Sequence, residues 1–323
     1  MIELYQLHWS HYVEKVRWAL DFKGLPWKAI DIVAYKKEEM RHFACAQTVP
    51  LIHDTRTGVA ISDSSPIIRY LDEMYPERPL LPADSQEYDK VWQGMLQLDS
   101  TLGLYARRVG YTQLIMECPQ VLSRLFMPQA CRGLFTRKGW RMLAAPILGM
   151  MLTKRFRFDR NREDRIYEKL ESLLLPLAER LTRHAFVVGE AFTAMDLTLA
   201  SLLRPLRLVP HFSHHPRLKA LFAWQVRLFR EHGRDPELLY ETLVNEQRQR
   251  RGSMRGQVGW MAAHTETTVE ETPPSLAMAL NDIHPVDGMR LFGALPGYLK
   301  LRWFSGIHTT SYVPAPYLAG SAS

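Results

Sequence analysis

The stretch from Thr48 to Tyr75 reads TVPLIHDTRTGVAISDSSPIIRYLDEMY. It contains two short apolar segments on either side of the turn-forming run 54–58, a pattern that predicts a β-hairpin. A helix is predicted to open at Ser65, because serine is a favourable N-cap and Pro66 suits the first helical position. The inner face of this helix carries apolar residues at helical spacing, namely Ile67, Ile68 and Leu71.

Two dipeptides in this stretch exceed what a generic hairpin and helix require. Val49-Pro50 stands at the start of a strand. Proline has no N–H to donate to the strand ladder, so its presence there indicates a specialised position in the sheet. Asp63-Ser64 stands just before a helix N-terminus, where free backbone N–H groups can hold a carboxylate. Both dipeptides are therefore more specific than the hairpin and helix alone.

A third motif lies near the N-terminus, where residues 10–20 read SHYVEKVRWAL. With Thr48-Val49-Pro50 and Asp63-Ser64 following in order, the chain resembles the glutathione S-transferase family. It is most similar to bacterial members whose first helix begins Ser-His-Tyr. The resemblance covers about residues 1–240.

The resemblance implies that the ligand is glutathione, which serves as a cosubstrate. In the family the Val-Pro bond is cis and the valine backbone pairs with the cysteinyl part of the peptide, which assigns Val49 and Pro50 to binding. The acidic residue and the serine that follows it hold the γ-glutamyl end, which assigns Asp63 and Ser64. The second substrate is expected to be a small hydrophobic electrophile, and the assembly a homodimer.

Ser10 is the candidate catalytic residue. A free thiol has a pKa of roughly 8.5, and a hydroxyl at a helix N-terminus can stabilise the thiolate by a hydrogen bond, with help from the helix dipole. The alternative is that Ser10 only caps the helix that follows it. Tyr5 is a second candidate hydroxyl, and His8 and His11 are either proton carriers or ordinary surface residues.

The predicted fold class is an α/β, thioredoxin-like N-terminal domain followed by an all-α domain. Residues 1–80 alternate strand and helix patterns in an order that gives a mixed sheet with helices packed on it. Prolines at 76, 79 and 82 mark a linker, and residues 85–240 show helical periodicity only. Residues 241–323 form an extension of unassigned purpose that is partly linker-like or disordered, with aromatic residues that could dock on the helical domain.

Helices in the second domain are predicted over 91–109, 166–181 and 218–229. Thr193 and Asp196 form a capping box, which predicts another helix start and has a folding role.

Composition narrows the choice of function. Over 323 residues the net charge is +7, but no zinc-finger spacing, phosphate loop or aromatic-basic RNA motif accompanies it, so a nucleic-acid partner is not expected. Cys45, Cys118 and Cys131 are widely spaced and predict neither a disulfide framework nor a metal site. No leader pattern or membrane-spanning run is visible, which favours the cytoplasm.

An apolar run at 142–152 lies between basic residues within 137–162. Eleven residues including a proline are too short to span a bilayer, for which about 20 are needed. Three interpretations remain open: a buried helix, the lining of a hydrophobic substrate pocket, or a membrane-surface patch.

Two classes of function therefore compete. The first is a glutathione transferase that conjugates the thiol to a small apolar electrophile. The second is a catalytically silent relative that serves as a glutathione-binding or protein-interaction module, with possible membrane association.

Overall fold

The computed structural model describes residues 1–7, 9–32, 40, 42–43, 48–117, 160–234, 244–245 and 248–249. All of these lie in one compact unit, Met1–Pro274. The apolar run at 142–152 lies outside the described residues. The expected extension at 241–323 also lies outside them, except for residues 244–245 and 248–249.

The N-terminal part is built on a four-stranded mixed sheet with the strand order β2-β1-β3-β4. The strands are β1 (Ile2–Gln6), β2 (Trp27–Asp31), β3 (Leu51–Asp54) and β4 (Val59–Ser62). β1 pairs in parallel with β2, whereas the β1–β3 and β3–β4 pairs are antiparallel. The hairpin and the mixed sheet are thus confirmed, and the arrangement is thioredoxin-like.

Two helices accompany this sheet, α1 (His11–Phe22) and α2 (Ser64–Met74). Gly24, with φ of 65°, follows the end of α1, as expected of a residue without a Cβ at that position. The expected opening of α2 at Ser65 is wrong: Asp63 is the N-cap, and its φ of 80° turns the chain into the helix earlier. Pro66 still falls in the first turn, where its missing N–H costs no helical hydrogen bond.

The remainder of the described chain is helical, which confirms the predicted fold class. The α-helices are α3 (Ser85–Ser100), α4 (Leu102–Glu117), α5 (Arg160–Arg180), α6 (Ala194–Leu202), α7 (Pro210–Ser213) and α8 (Lys219–Glu231). Short 3-10 turns occupy Arg204–Leu208 and Pro216–Leu218.

The single helix predicted over 91–109 is in fact two, separated at Thr101. The Thr101 hydroxyl donates to the Gln97 carbonyl at 2.6 Å, and the Ser100 hydroxyl donates to the Leu96 carbonyl at 3.0 Å. Side-chain bonds of this kind compete with the backbone ladder and favour a bend. The break matters because residues on both sides of it face the first turn of α1.

The predicted capping box at the start of α6 is present. The Asp196 carboxylate accepts from the Thr193 amide at 3.0 Å and from the Val187 amide at 2.7 Å, so it also ties down the preceding loop. Burial raises the pKa of the Asp196 carboxyl to about 6.

One cluster of buried apolar side chains connects the sheet-based part with the helical part. At the proposed boundary between residues 80 and 85, Asp72 accepts the amides of Leu80 and Leu81 and pairs with Lys23 at 2.7 Å. Among the described residues, no helix has the length and apolar character needed to cross a membrane.

Candidate functional site

The sheet register brings the two hairpin dipeptides together. The Val49-Pro50 peptide bond is cis, which confirms the expectation. Because Leu51 pairs with Ser62 at the end of the antiparallel hairpin, Pro50 lies opposite Asp63. The Asp63 amide donates to the Pro50 carbonyl at 3.0 Å, so one backbone hydrogen bond joins the two motifs directly.

Asp63 is a half-buried carboxyl group in a charged setting. Burial raises the pKa of this carboxyl, and the nearby Asp99 carboxylate raises it further. The Lys15 ammonium and the amides of Ser64 and Ser65 act in the opposite direction. Two acidic groups therefore share one buried cation, and a ligand ammonium group would balance the second.

Ser64 is fully buried, at 0% exposure, and its hydroxyl has no hydrogen-bond partner among the described residues. A buried hydroxyl without a partner costs about 1–3 kcal/mol. A polar ligand group placed beside the N-terminus of α2 would remove that cost.

Lys15 is a functional candidate that the sequence did not reveal. Its side chain is completely buried, and its Nζ donates to the Ser65 hydroxyl at 2.9 Å and to the two Asp99 carboxylate oxygens at 3.0 and 2.7 Å. Burial lowers the pKa of Lys15, and the Asp99 carboxylate opposes that shift. This cluster links α1, α2 and α3, and its charges act on Asp63.

Ser10 occupies the N-cap of α1 with extended backbone angles, φ −74° and ψ 126°. Its side chain makes no capping hydrogen bond, so the capping alternative does not account for the hydroxyl. The antiparallel pairing of Tyr5 with Leu51 places the end of β1, and thus the turn to Ser10, at the same sheet edge as Val49-Pro50 and Asp63. No hydrogen bond between described residues joins the Ser10 side chain to these positions.

The residues around Ser10 pack against α4 and the end of α3. The His11 ring donates through Nε2 to the Gly103 carbonyl at 3.0 Å, and the Tyr12 hydroxyl donates to the Asp99 carbonyl at 2.6 Å. A Cβ at Gly103 would collide with the Tyr12 hydroxyl, which is why this close helix approach requires glycine.

The structure argues against His11 as a proton carrier near neutral pH. Burial, with a contribution from Arg107, lowers the pKa of His11 to about 3, so its ring is neutral. Tyr5 is buried, at 6% exposure, in a small cluster with Ile32, Met40 and Leu51, in line with a packing role. His8, the three cysteines and residues 137–159 lie outside the described residues.

The described chain therefore combines a thioredoxin-like domain, which has a cis proline immediately before β3, with a helical domain that follows it. Residues 4–79 match the family model described as "Glutathione S-transferase, N-terminal domain". The N-terminal part of the chain is therefore similar to the glutathione-binding domain of the glutathione S-transferase family, the family that its motifs resemble.

Curated relatives match less than a third of the chain. Glutathione S-transferase Z1 of Arabidopsis thaliana is 37% identical over 98 residues, which cover 29% of this chain and 43% of the relative. Maleylpyruvate isomerase of Ralstonia sp. is 32% identical over 92 residues, covering 28% of this chain and 43% of the relative. The alignments thus span less than half of either relative.

Solved structures share the fold over a longer range. The β-etherase LigF from Sphingobium sp. strain SYK-6 superposes with a TM-score of 0.54 at 17% identity, covering 77% of this chain and 99% of that chain. A glutathione S-transferase from Rhodospirillum rubrum F11 superposes with a TM-score of 0.50 at 21% identity, covering 71% of this chain and 88% of that chain. At these identities the likeness extends to the fold alone.

Proposed function

We propose that this protein binds glutathione at the sheet edge formed by Val49, Pro50, Asp63 and Ser64 and uses the glutathione thiolate to attack a small apolar electrophile. The observation that carries the proposal is the 3.0 Å hydrogen bond from the Asp63 amide to the Pro50 carbonyl, which brings Val49-Pro50 beside Asp63 and the buried, unpartnered Ser64 hydroxyl. The names of the curated relatives support a glutathione-dependent transferase or isomerase.

Each end of the peptide has a chemically matched partner. The Val49 backbone precedes β3 and would pair with the cysteinyl part of glutathione. The γ-glutamyl end carries both an ammonium and a carboxylate. Asp63, whose charge Lys15 only partly balances, suits the ammonium, and the Ser64 hydroxyl with the N-terminus of α2 suits the carboxylate.

Ser10 would stabilise the thiolate. Lowering the pKa of the bound thiol by about two units requires roughly 2.7 kcal/mol of preferential stabilisation. A hydroxyl that does not cap its own helix, together with the dipole at the N-terminus of α1, can supply that amount. The thiolate would then attack the electrophile in a partly desolvated cleft.

The alternative function is a catalytically silent glutathione-binding or protein-interaction module of the same fold. A calorimetric titration with glutathione, followed by a conjugation assay with an aryl halide, separates the two. Binding with turnover supports the transferase, binding without turnover supports the silent module, and no binding would contradict both. We further propose a cytoplasmic homodimer, as the family resemblance implies.

Replacing Asp63 with alanine is expected to weaken glutathione binding by about 1–3 kcal/mol, the usual cost of losing a hydrogen bond to a charged group. Calorimetry measures the effect, and Asp89→Ala, which removes an exposed carboxylate from α3, is the matched control. Unchanged affinity in Asp63→Ala would place the γ-glutamyl end elsewhere.

Replacing Ser10 with alanine is expected to leave glutathione affinity near that of the wild type and to lower turnover near neutral pH by about 10- to 100-fold. The deficit should shrink as pH rises, because free thiolate then forms without help from the protein. Turnover measured across pH tests this, with Ser172→Ala, an exposed serine of α5, as control. An equal loss at every pH, with a lowered Tm, would indicate a structural role instead.

A further inference from the structure

A shallow groove runs along the outer face of α8. Its described lining residues all belong to this helix, namely Lys219, Phe222, Ala223, Val226, Arg227, Arg230 and Glu231. The opposite face of α8 packs into the core through Trp224 and Phe229. Among the described residues, no second element lines the α8 groove, so this surface is open to a partner.

The floor of the α8 groove is apolar and its two ends are positively charged. Phe222 and Val226 are half-buried and lie one turn apart on the same helix face. Lys219 and Arg230 are exposed and lie 11 positions apart, which is about 16 Å along the helix axis. A segment that fits this surface therefore needs carboxylates about 16 Å apart with an apolar side chain between them.

The other two charges of the α8 groove are already paired. Arg227 lies 3.4 Å from Glu231 and also donates to the Ala185 carbonyl at 2.9 Å. Lys219 and Arg230 therefore give the groove its net positive charge. In a two-fold interface the same surface meets itself, so these cations disfavour a second copy of α8 as the occupant.

The chain itself contains a segment of the required composition. Residues 256–274 read GQVGWMAAHTETTVEETPP and contain no lysine or arginine, in a chain whose net charge is +7. Glu266 and Glu271 are five positions apart, so an extended chain between them spans up to about 18 Å. Val269 lies between these two glutamates in sequence. The acidic segment, residues 256–274, thus matches the α8 groove in charge, length and apolar content.

The acidic segment is tethered within reach of α8. Arg248 donates to the Leu208 carbonyl at 2.8 Å, and Val244 is buried, so the chain is attached to the helical part shortly before the segment begins. Leu208 and Lys219 are 11 positions apart and therefore no more than about 40 Å apart. The 18 positions from Arg248 to Glu266 can span about 60 Å. A tether of this kind gives a local concentration on the order of millimolar at the groove.

We propose that the acidic segment binds the α8 groove of its own chain as an intramolecular strap. Its glutamates pair with Lys219 and Arg230, and Val269 packs on the apolar floor. The strap is independent of the proposed glutathione chemistry, because no residue of the α8 groove belongs to the sheet-edge site. It gives a purpose to part of the extension at 241–323.

Zero-length carbodiimide cross-linking of the full chain tests the strap. The reagent joins a carboxylate to an amine when the two are in contact, and Lys219 supplies the amine of the groove. Peptide mass spectrometry should detect links to Lys219 from Glu266, Glu270 or Glu271. Their yield should exceed that of links from the same glutamates to Lys28, an exposed lysine of β2, by about 10-fold. Equal yields at the two lysines, or no link to Lys219, would overturn the proposal without any variant having to fold.

Two further measurements identify the surface and the occupant. Arg230→Glu keeps the Lys219 amine and should lower the yield about 3- to 10-fold, whereas Lys90→Glu makes the same charge change on α3 and should leave it unchanged. An unchanged yield in Arg230→Glu would overturn the assignment to the α8 groove. In a mixture of unlabelled and isotopically labelled protein, each cross-linked pair of peptides should come from one kind of chain. Mixed pairs would show that the segment of a second copy fills the groove, and would overturn the intramolecular strap.

Discussion

Lys15→Met is expected to lower the free energy of unfolding by about 3–5 kcal/mol, the range for breaking a buried ion pair by removing one partner. Methionine nearly matches lysine in length, so the loss comes from chemistry rather than from a cavity. The substitution leaves the Asp99 carboxylate, only 16% exposed, without its counter-charge, and it takes a donor from the Ser65 hydroxyl. Chemical denaturation monitored by circular dichroism measures the change.

Two variants sharpen this test. Lys90→Met, which replaces an exposed lysine of α3, should leave stability unchanged within error. Adding Asp99→Asn to Lys15→Met should destabilise by less than the sum of the two single changes, because the residues are directly bonded. A fully additive double variant, or a Lys15→Met protein as stable as wild type, would contradict the ion-pair account.

Glu14→Gln is expected to have a destabilising effect of similar size, about 3–5 kcal/mol. The Glu14 carboxylate, only 6% exposed, pairs with Arg234 at 2.6 Å and Arg17 at 3.3 Å, with Arg204 at 3.9 Å. Glutamine keeps the shape but removes the charge, which leaves three guanidinium groups clustered without their shared partner. Glu73→Gln, which changes the exposed pair with Arg69, is the matched control and should have no measurable effect.

Glu14 also gives the protein a pH signature. Burial raises the pKa of this carboxyl, but the charges of Arg204, Arg234 and Arg17 together outweigh it and hold the folded-state pKa below 4.5. The stabilisation by ionised Glu14 is therefore complete above pH 4.5 and is lost as pH falls through the lower folded-state value. Denaturation curves should show this loss in the wild type and a smaller one in Glu14→Gln.

The sequence predicted the parts of the fold that depend on neighbours in the chain. The hairpin, the glycine after α1 and the capping box at Thr193 all follow from short-range turn and cap chemistry. The cis Val49-Pro50 bond came from the family resemblance, because no local pattern distinguishes it from a trans bond.

The errors arose where distant or competing contacts decide the structure. The start of α2 moved because Asp63 adopts a positive φ while its amide bonds to Pro50, across the hairpin. The break at Thr101 depends on two side-chain bonds to the preceding turn, which helical periodicity does not reveal.

The site was predicted only in part, for the same reason. Lys15 is a charged residue in an amphipathic helix, and in sequence it looks like a solvent-facing position. Lys15 is buried because Asp99, 84 positions away, pairs with it. A helical pattern contains no information about such partners.

The pKa of the thiol in bound glutathione tests the central proposal most directly. Ultraviolet difference absorbance reports the thiolate as pH is varied over the complex of wild-type protein with glutathione. The proposed site predicts a bound thiol pKa about two units below the roughly 8.5 of a free thiol. A bound thiol that titrates like free glutathione, or no complex at all, would contradict it.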